Sequence, residues 1–293
     1  MALIVAVHGI GQQYKGDAVL HGVWWPALLS GMRLAGRDLD DPKSLLCAFY
    51  GHLFRRSASR DSLATGGPEL QADDVTPEEA ELLEVWLREA ASLEPNLVKS
   101  PDAIRGGQSL ARTPVVVQQM LSAISQSSFF ANVFQSAFIG DLRQVTSYLK
   151  EPAIREEALS IVLAGITADT RVVVAHSLGS VIAYEALCKD SRNVVSFVTI
   201  GSPLGIRNVI FDKLTPRPDT SDNGAWPGKI RHWTNIADSG DIVALEKRLS
   251  RRFGERVRDL MIYSGADPHH GERYLTAIET GRAINEGIWG SDS

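Results

Sequence analysis

Cysteine is scarce: Cys47 and Cys188 are the only two in 293 residues, too few for a disulfide framework. Both fall in segments that read as a buried strand and an apolar helix, the usual setting of inert thiols. Positive charge is short as well. Thirty Lys and Arg against 35 Asp and Glu leave a formal charge of −5, with a pI near 5.8. Binding of nucleic acid needs a clustered cationic surplus, so this balance argues against it. The densest basic run, Lys247 to Arg258, is interrupted by Glu255 and reads as a solvated helix face. Long hydrophobic runs are missing: no stretch of about 18 or more uncharged apolar residues could span a membrane. The apolar run Leu3–Val7 has no basic segment before it and leads straight into His8-Gly9, unlike a secretory signal. A soluble chain of a reducing cytoplasm is the expectation. Repeats and low-complexity tracts are also missing.

What is present is a large apolar fraction, 44% of the chain, enough for one large domain or a domain plus an insertion. Leu3–Val7, Leu45–Tyr50, Arg171–Ala175, Val194–Ile200, Ile230–Ile236 and Val257–Tyr263 are short β-rich runs. Most are nearly continuous in apolar residues, as in parallel strands covered on both faces. Segments with helical spacing lie between them: Asp17–Ala35, Ile154–Ile166, Ser180–Leu187 and Val243–Arg251. This alternation predicts an α/β fold with about six mainly parallel strands flanked by helices, its chemistry at the carboxyl ends of the strands.

One interruption, residues 53–150, separates a core of residues 1–52 and 151–293. Gly66-Gly67-Pro68, Glu94-Pro95-Asn96 and Gly106-Gly107 read as loops within it. Thr76-Pro77-Glu78-Glu79 has the residues of a helix start, with Thr76 as cap and Glu79 three positions on. Phe130, Phe134, Phe138, Leu142, Val145 and Leu149 recur at steps of three and four, one face of a helix. Such a stripe is ordinary core; its functional reading is a helical cap whose apolar face lines an acyl pocket. Docking of the stripe on a lipid surface is a weaker reading, because the flanking Lys and Arg of an interfacial helix are missing.

The chemistry centres on Ala175-His176-Ser177-Leu178-Gly179, between a Val-rich strand and the helical Ser180-Val181-Ile182-Ala183-Tyr184. A serine on a tight strand-to-helix turn is pushed out of the sheet, with the positive end of the next helix beneath it. Small residues must flank such a turn, and Ala175 and Gly179 are small. The plain alternative is an ordinary βα turn. Directly after the first strand comes Val7-His8-Gly9-Ile10-Gly11-Gln12, whose glycines free main-chain N–H groups to face an oxyanion. The amides of Ile10 and Leu178 would make a two-donor hole, with Gly9 and Gly11 keeping the loop close. His8 reads as a structural hydrogen-bonder rather than a base.

This pair of turns resembles the α/β-hydrolase superfamily, in particular its lipase- and esterase-like members. The resemblance covers Leu3–Tyr50 and about Ile154–Leu275. It implies an α/β-hydrolase fold with a helical cap insertion and a triad in chain order Ser, acid, His. The pattern departs from G-x-S-x-G by Ala175 in the first position. The usual antiparallel first hairpin is missing, and the insertion precedes the serine strand. Two acids follow strand Ile230–Ile236: Asp241, in the Asp-x-Val setting that such enzymes favour, is preferred over Asp238, which would cap the next helix. Two histidines follow strand Val257–Tyr263. His270, beside Gly271 and a helix over Glu272–Thr280, is preferred over His269. A metal site from His269, His270 and Asp267 lacks a further ligand at suitable spacing. The reading is a carboxyl-ester hydrolase on a small or lipid-like acyl substrate, working through Ser177 and an acyl-enzyme without a cofactor. A peptidase, amidase or acyltransferase would use the same triad, and a non-catalytic interaction module could keep the same fold.

Overall fold

The computed structural model describes residues 2–55, 70–105, 113–127, 135–265 and 268–290. The chain divides into two compact units, Met1–Leu53 with Glu151–Ser293, and Phe54–Lys150.

The first unit holds one six-stranded, all-parallel sheet flanked by helices. Its strands are β1 (Ile4–Val7), β2 (Leu45–Ala48), β3 (Val172–His176), β4 (Ser196–Ile200), β5 (His232–Asp238) and β6 (Val257–Ile262). Their spatial order is β2-β1-β3-β4-β5-β6. The order reverses between β1 and β3, so the loops after these two strands diverge and leave a crevice at their carboxyl ends. The register sets Val7 opposite Ala175 and Ala175 opposite Thr199, bringing the ends of the three central strands level.

Side chains alternate across this sheet, and both faces are apolar, as burial on both sides demands. Ile4, Ala6, Val172, Val174, Val198 and Ile200 point to one face. There they meet Leu20, Trp24, Leu28 and Met32 of α1 (Asp17–Leu34). Tyr274 and Leu275 of α2 (Gly271–Thr276) and Ile284 of α3 (Ile278–Trp289) complete that layer. The other face carries α4 (Pro152–Gly165) and α5 (Leu178–Lys189). It is lined by an aromatic group in which Trp233 lies 5.2 Å from Phe197 and 4.8 Å from Phe253. Each buried Trp or Phe removes about 150–250 Å² from water, so this layer supplies much of the driving force.

Three sequence expectations differ here. Val243–Arg251 is not a helix; only Ser250–Phe253 makes a helical turn, and the Asp259 carboxylate takes the Leu249 and Ser250 amides that a helix over Val243–Arg251 would bond to its own carbonyls. The basic run Lys247–Arg258 is therefore loop, turn and edge strand rather than a helix face; Arg252 pairs with Asp222 and Arg258 with Glu286. The helix expected over Glu272–Thr280 is two, broken at Ala277, whose ψ of 138° is extended.

The second unit is helical among its described residues, with helices over Pro77–Leu93, Pro101–Arg105, Pro114–Ile124 and Gln135–Lys150. Thr76 caps the first of these: its hydroxyl accepts the Glu79 amide at 3.3 Å while the Glu79 carboxylate accepts the Thr76 amide at 2.8 Å. Phe138 packs 5.8 Å from Trp86 and is buried with Leu142 and Val145, so this part of the stripe is core. Phe130, Phe134, Gly66-Gly67-Pro68 and Gly106-Gly107 lie outside the described residues. No described helix is long and apolar enough to cross a membrane.

Candidate active site

Ser177 occupies the turn between β3 and α5 with φ 52° and ψ −131°. A non-glycine residue in that region costs about 1–3 kcal/mol and persists only where its surroundings over-determine it. They do so here. The Ser177 amide donates to the Ile200 carbonyl at 3.1 Å, and the Ser177 carbonyl accepts from the Ser180 amide at 2.9 Å and hydroxyl at 2.6 Å. Ser202 holds the Ser180 hydroxyl at 2.7 Å.

This turn is pressed against the loop after β1. A Cβ on Gly179 would stand 2.2 Å from the His8 carbonyl oxygen and 2.5 Å from that of Val7, so only glycine fits. A Cβ on Gly9 would stand 2.7 Å from the Ser177 Cβ and 3.3 Å from its Oγ. The bare backbone of the β1 loop therefore lies directly beside the serine hydroxyl. Gly11, at φ 74°, turns that loop back. Ile10 follows Gly9 on it. Leu178 opens α5, and a first-turn amide has no acceptor within its own helix.

His8 anchors the loop from below. Its Nδ1–H donates to the Gly9 carbonyl at 2.7 Å and its Nε2 accepts the Tyr50 amide at 3.2 Å, while the Tyr50 hydroxyl donates to the His8 carbonyl at 2.5 Å. Burial pushes its pKa down to about 4, so this imidazole is neutral and fully engaged.

Asp241, after β5, is fully buried. Its Oδ1 accepts the Val243 and Ala244 amides at 2.9 and 3.3 Å. Its Oδ2 accepts the Tyr274 hydroxyl at 2.8 Å and His269 Nδ1 at 2.8 Å. Burial alone would raise its pKa; the charge and hydrogen bond of His269, with Lys247 and Tyr274, outweigh that and hold it below the usual carboxylate value. The other ring nitrogen of His269, Nε2, stands 3.0 Å from Ser177 Oγ. Serine, imidazole and carboxylate are thus joined in one chain of hydrogen bonds drawn from three loops at the carboxyl edge of the sheet. Such a chain can lift the proton from the serine hydroxyl onto an imidazole whose opposite nitrogen is already held by a carboxylate.

The preference for His270 is corrected by this geometry. His270 forms the N-cap of α2 and pairs with Glu272 at 2.5 Å, its side chain half exposed. His269, one residue earlier, is the histidine that faces Ser177. Asp238 does not cap a helix either. Its carboxylate accepts the Gly240 amide at 2.8 Å and the Ser264 amide and hydroxyl at 2.6 and 2.7 Å, tying the loops after β5 and β6 together. Asp267 lies outside the described residues, and among the described residues no His, Cys, Asp and Glu group could hold a metal ion. Burial pushes the Cys47 and Cys188 thiols up to about 12 and about 11, away from any nucleophilic role.

Three site residues escaped the sequence reading. Tyr274 braces Asp241, yet at helical spacing it reads as core. Ser180 and its partner Ser202 hold the Ser177 carbonyl; a second serine one turn past the nucleophile was the available signal. Comparison with protein-family models, curated proteins and solved structures returned no match.

Proposed function

We propose that this chain is a serine hydrolase of the α/β-hydrolase type that cleaves a carboxyl ester. The observation that carries the reading is the hydrogen-bonded chain Ser177–His269–Asp241, set on a serine held at φ 52° between a strand and a helix. The parallel sheet supports it, since the reversal of strand order puts this chain of residues where α/β sheets hold their ligands.

In this reading Ser177 Oγ attacks the acyl carbonyl as His269 Nε2 takes its proton. Asp241 keeps the neutral ring protonated on Nδ1 and stabilises the imidazolium that follows. Negative charge develops on the carbonyl oxygen, and the amides of Ile10 and Leu178 receive it. His269 then returns the proton to the leaving alkoxide, and water, deprotonated by the same ring, releases the acid. One oxyanion donor is worth roughly 10²–10³ in turnover.

Labelling with a fluorophosphonate and hydrolysis of p-nitrophenyl acetate and octanoate, for wild type and Ser177→Ala, test this. Labelling and turnover that vanish in Ser177→Ala are expected. Labelling without ester turnover moves the substrate to an amide, a peptide or a dedicated acyl donor. A folded wild type that takes no label overturns the reading in favour of a non-catalytic module.

A further inference from the structure

Resting on that reading, we infer that His176 is a positioning residue that sets the general base by holding the main chain of His269 from the neighbouring strand. His176 ends β3, immediately before the nucleophile, and its ring lies between two loops. Toward the loop after β6, its Nε2–H donates to the His269 carbonyl at 2.8 Å, and the two imidazole rings stand 4.7 Å apart. Toward the loop after β1, its Nδ1 lies 3.0 Å from where a Cβ on Gly9 would be. Trp24 of α1 meets the ring edge-on at 6.4 Å, and Tyr274 of α2 lies 6.1 Å away. One side chain, on the residue before Ser177, therefore ties the strand end that carries the nucleophile to the loop that carries the base.

The arrangement demands an uncharged His176 with its proton on Nε2, because only an N–H there can satisfy a carbonyl. Burial and the neighbouring His269 push its pKa down to about 3, with Asp241 and Glu272 opposing too weakly to reverse this. Asp241 from the loop after β5 and Ser177 meet the ring nitrogens of His269 and His176 meets its carbonyl, while Tyr274 of α2 binds the same Asp241 oxygen and Glu272 lies beyond. The contact from His176 is to the backbone of the base rather than its ring. Losing it removes that hold on the His269 carbonyl, and a shift of about 1 Å in a reacting group can cost roughly 10²-fold in rate.

The test uses the full chain and two variants. His176→Phe keeps a flat ring and removes the donor; His176→Gln places an amide N–H₂ at the reach of Nε2. With p-nitrophenyl acetate, His176→Phe should lose about 10- to 100-fold in kcat with KM within about threefold. Its fluorophosphonate labelling should slow in proportion, and His176→Gln should recover most of both. In wild type, nitrogen-detected NMR should show the His176 proton on Nε2, with no titration down to about pH 4. This last measurement needs no variant to fold. Folded His176→Phe with wild-type rates, equal losses in Phe and Gln, or a His176 protonated on Nδ1 would each overturn the inference. A wild type that takes no label instead fails the hydrolase reading, on which the inference depends.

Discussion

Asp241→Asn separates the two acids by the hydrogen bonds each one makes. Asp241 accepts four donors: two main-chain amides on Oδ1, and the Tyr274 hydroxyl and His269 Nδ1 on Oδ2. Asparagine offers one acceptor oxygen and one N–H₂. If the oxygen stayed with His269, the N–H₂ would oppose two buried N–H groups that cannot turn, at about 1–3 kcal/mol for each unsatisfied group. The favoured orientation therefore keeps the oxygen on the Val243 and Ala244 amides and turns the N–H₂ toward His269. The imidazole must then present a lone pair at Nδ1 and carry its proton on Nε2, the atom that has to accept from Ser177. The ring is left in place with the wrong tautomer. In a serine-protease triad the same substitution lowers turnover about 10⁴-fold. At 1.36 kcal/mol per tenfold that is about 5 kcal/mol of transition-state stabilisation. Asp238→Asn should behave otherwise, because its partners are Gly240 and Ser264, and none of them is the base. It should lower the urea midpoint and leave kcat within about tenfold. The assay is steady-state hydrolysis of p-nitrophenyl acetate alongside urea unfolding. Asp241→Asn within tenfold of wild type, or equal losses at the two positions, would refute the assignment.

Three further outcomes follow from the same geometry. His269→Ala should lose at least about 10³-fold in ester turnover while His270→Ala stays within about threefold, since only the first ring reaches Ser177; equal losses would sink that distinction. Gly179→Ala drives a Cβ to 2.2 Å from a main-chain oxygen that has no room to yield, so its urea midpoint should fall by the equivalent of about 1–3 kcal/mol or more. Stability should also fall as pH drops. His8 and His176 have folded pKa values near 4 and 3, below the ordinary 6.5, so under about pH 6.5 the unfolded chain takes up protons that the folded chain refuses. Each contributes at most about 1.4 kcal/mol per pH unit, and the His8 share levels off near pH 4. The depressed Asp241 works in the same direction only below its unfolded value of 3.8, outside this window. Urea midpoints from pH 7 to 4.5 should decline in wild type, and His8→Asn, which keeps a donor toward Gly9, should flatten the slope. An unchanged slope would refute the neutral, buried His8.

The strands were legible because a parallel sheet covered on both faces leaves no polar side to blur its pattern. All six runs lie within two residues of the observed strands at both ends. The shift in β5, from Ile230–Ile236 to His232–Asp238, has a local cause. Arg231 and His232 both donate to the Val195 carbonyl, so pairing starts later than the apolar residues do, and Asp238 is carried into the strand end. Helices with strong tertiary partners were legible too, and Thr76-Pro77-Glu78-Glu79 carried its own start signal. Val243–Arg251 was not. Its apolar residues are spaced like a helix, but Asp259, beyond its end, takes its Leu249 and Ser250 amides. Local spacing carries no trace of that competition.

At the site, what could be read from the chain was what depends on backbone, and what escaped depends on direction. A serine between a Val-rich strand and a helix of small residues has one way to turn, and the glycines before and after it tell how close the neighbouring loop must come. The choice between His269 and His270 is different in kind. Adjacent residues in a loop point apart, so the choice rests on where α2 begins, and a boundary shift of one residue exchanges the two. In the folded chain Glu272 pairs with His270. His269, the residue before it, leans over the sheet, where the His176 N–H meets its carbonyl and Asp241 meets its ring. The base is selected by its neighbour's engagement as much as by its own bonds.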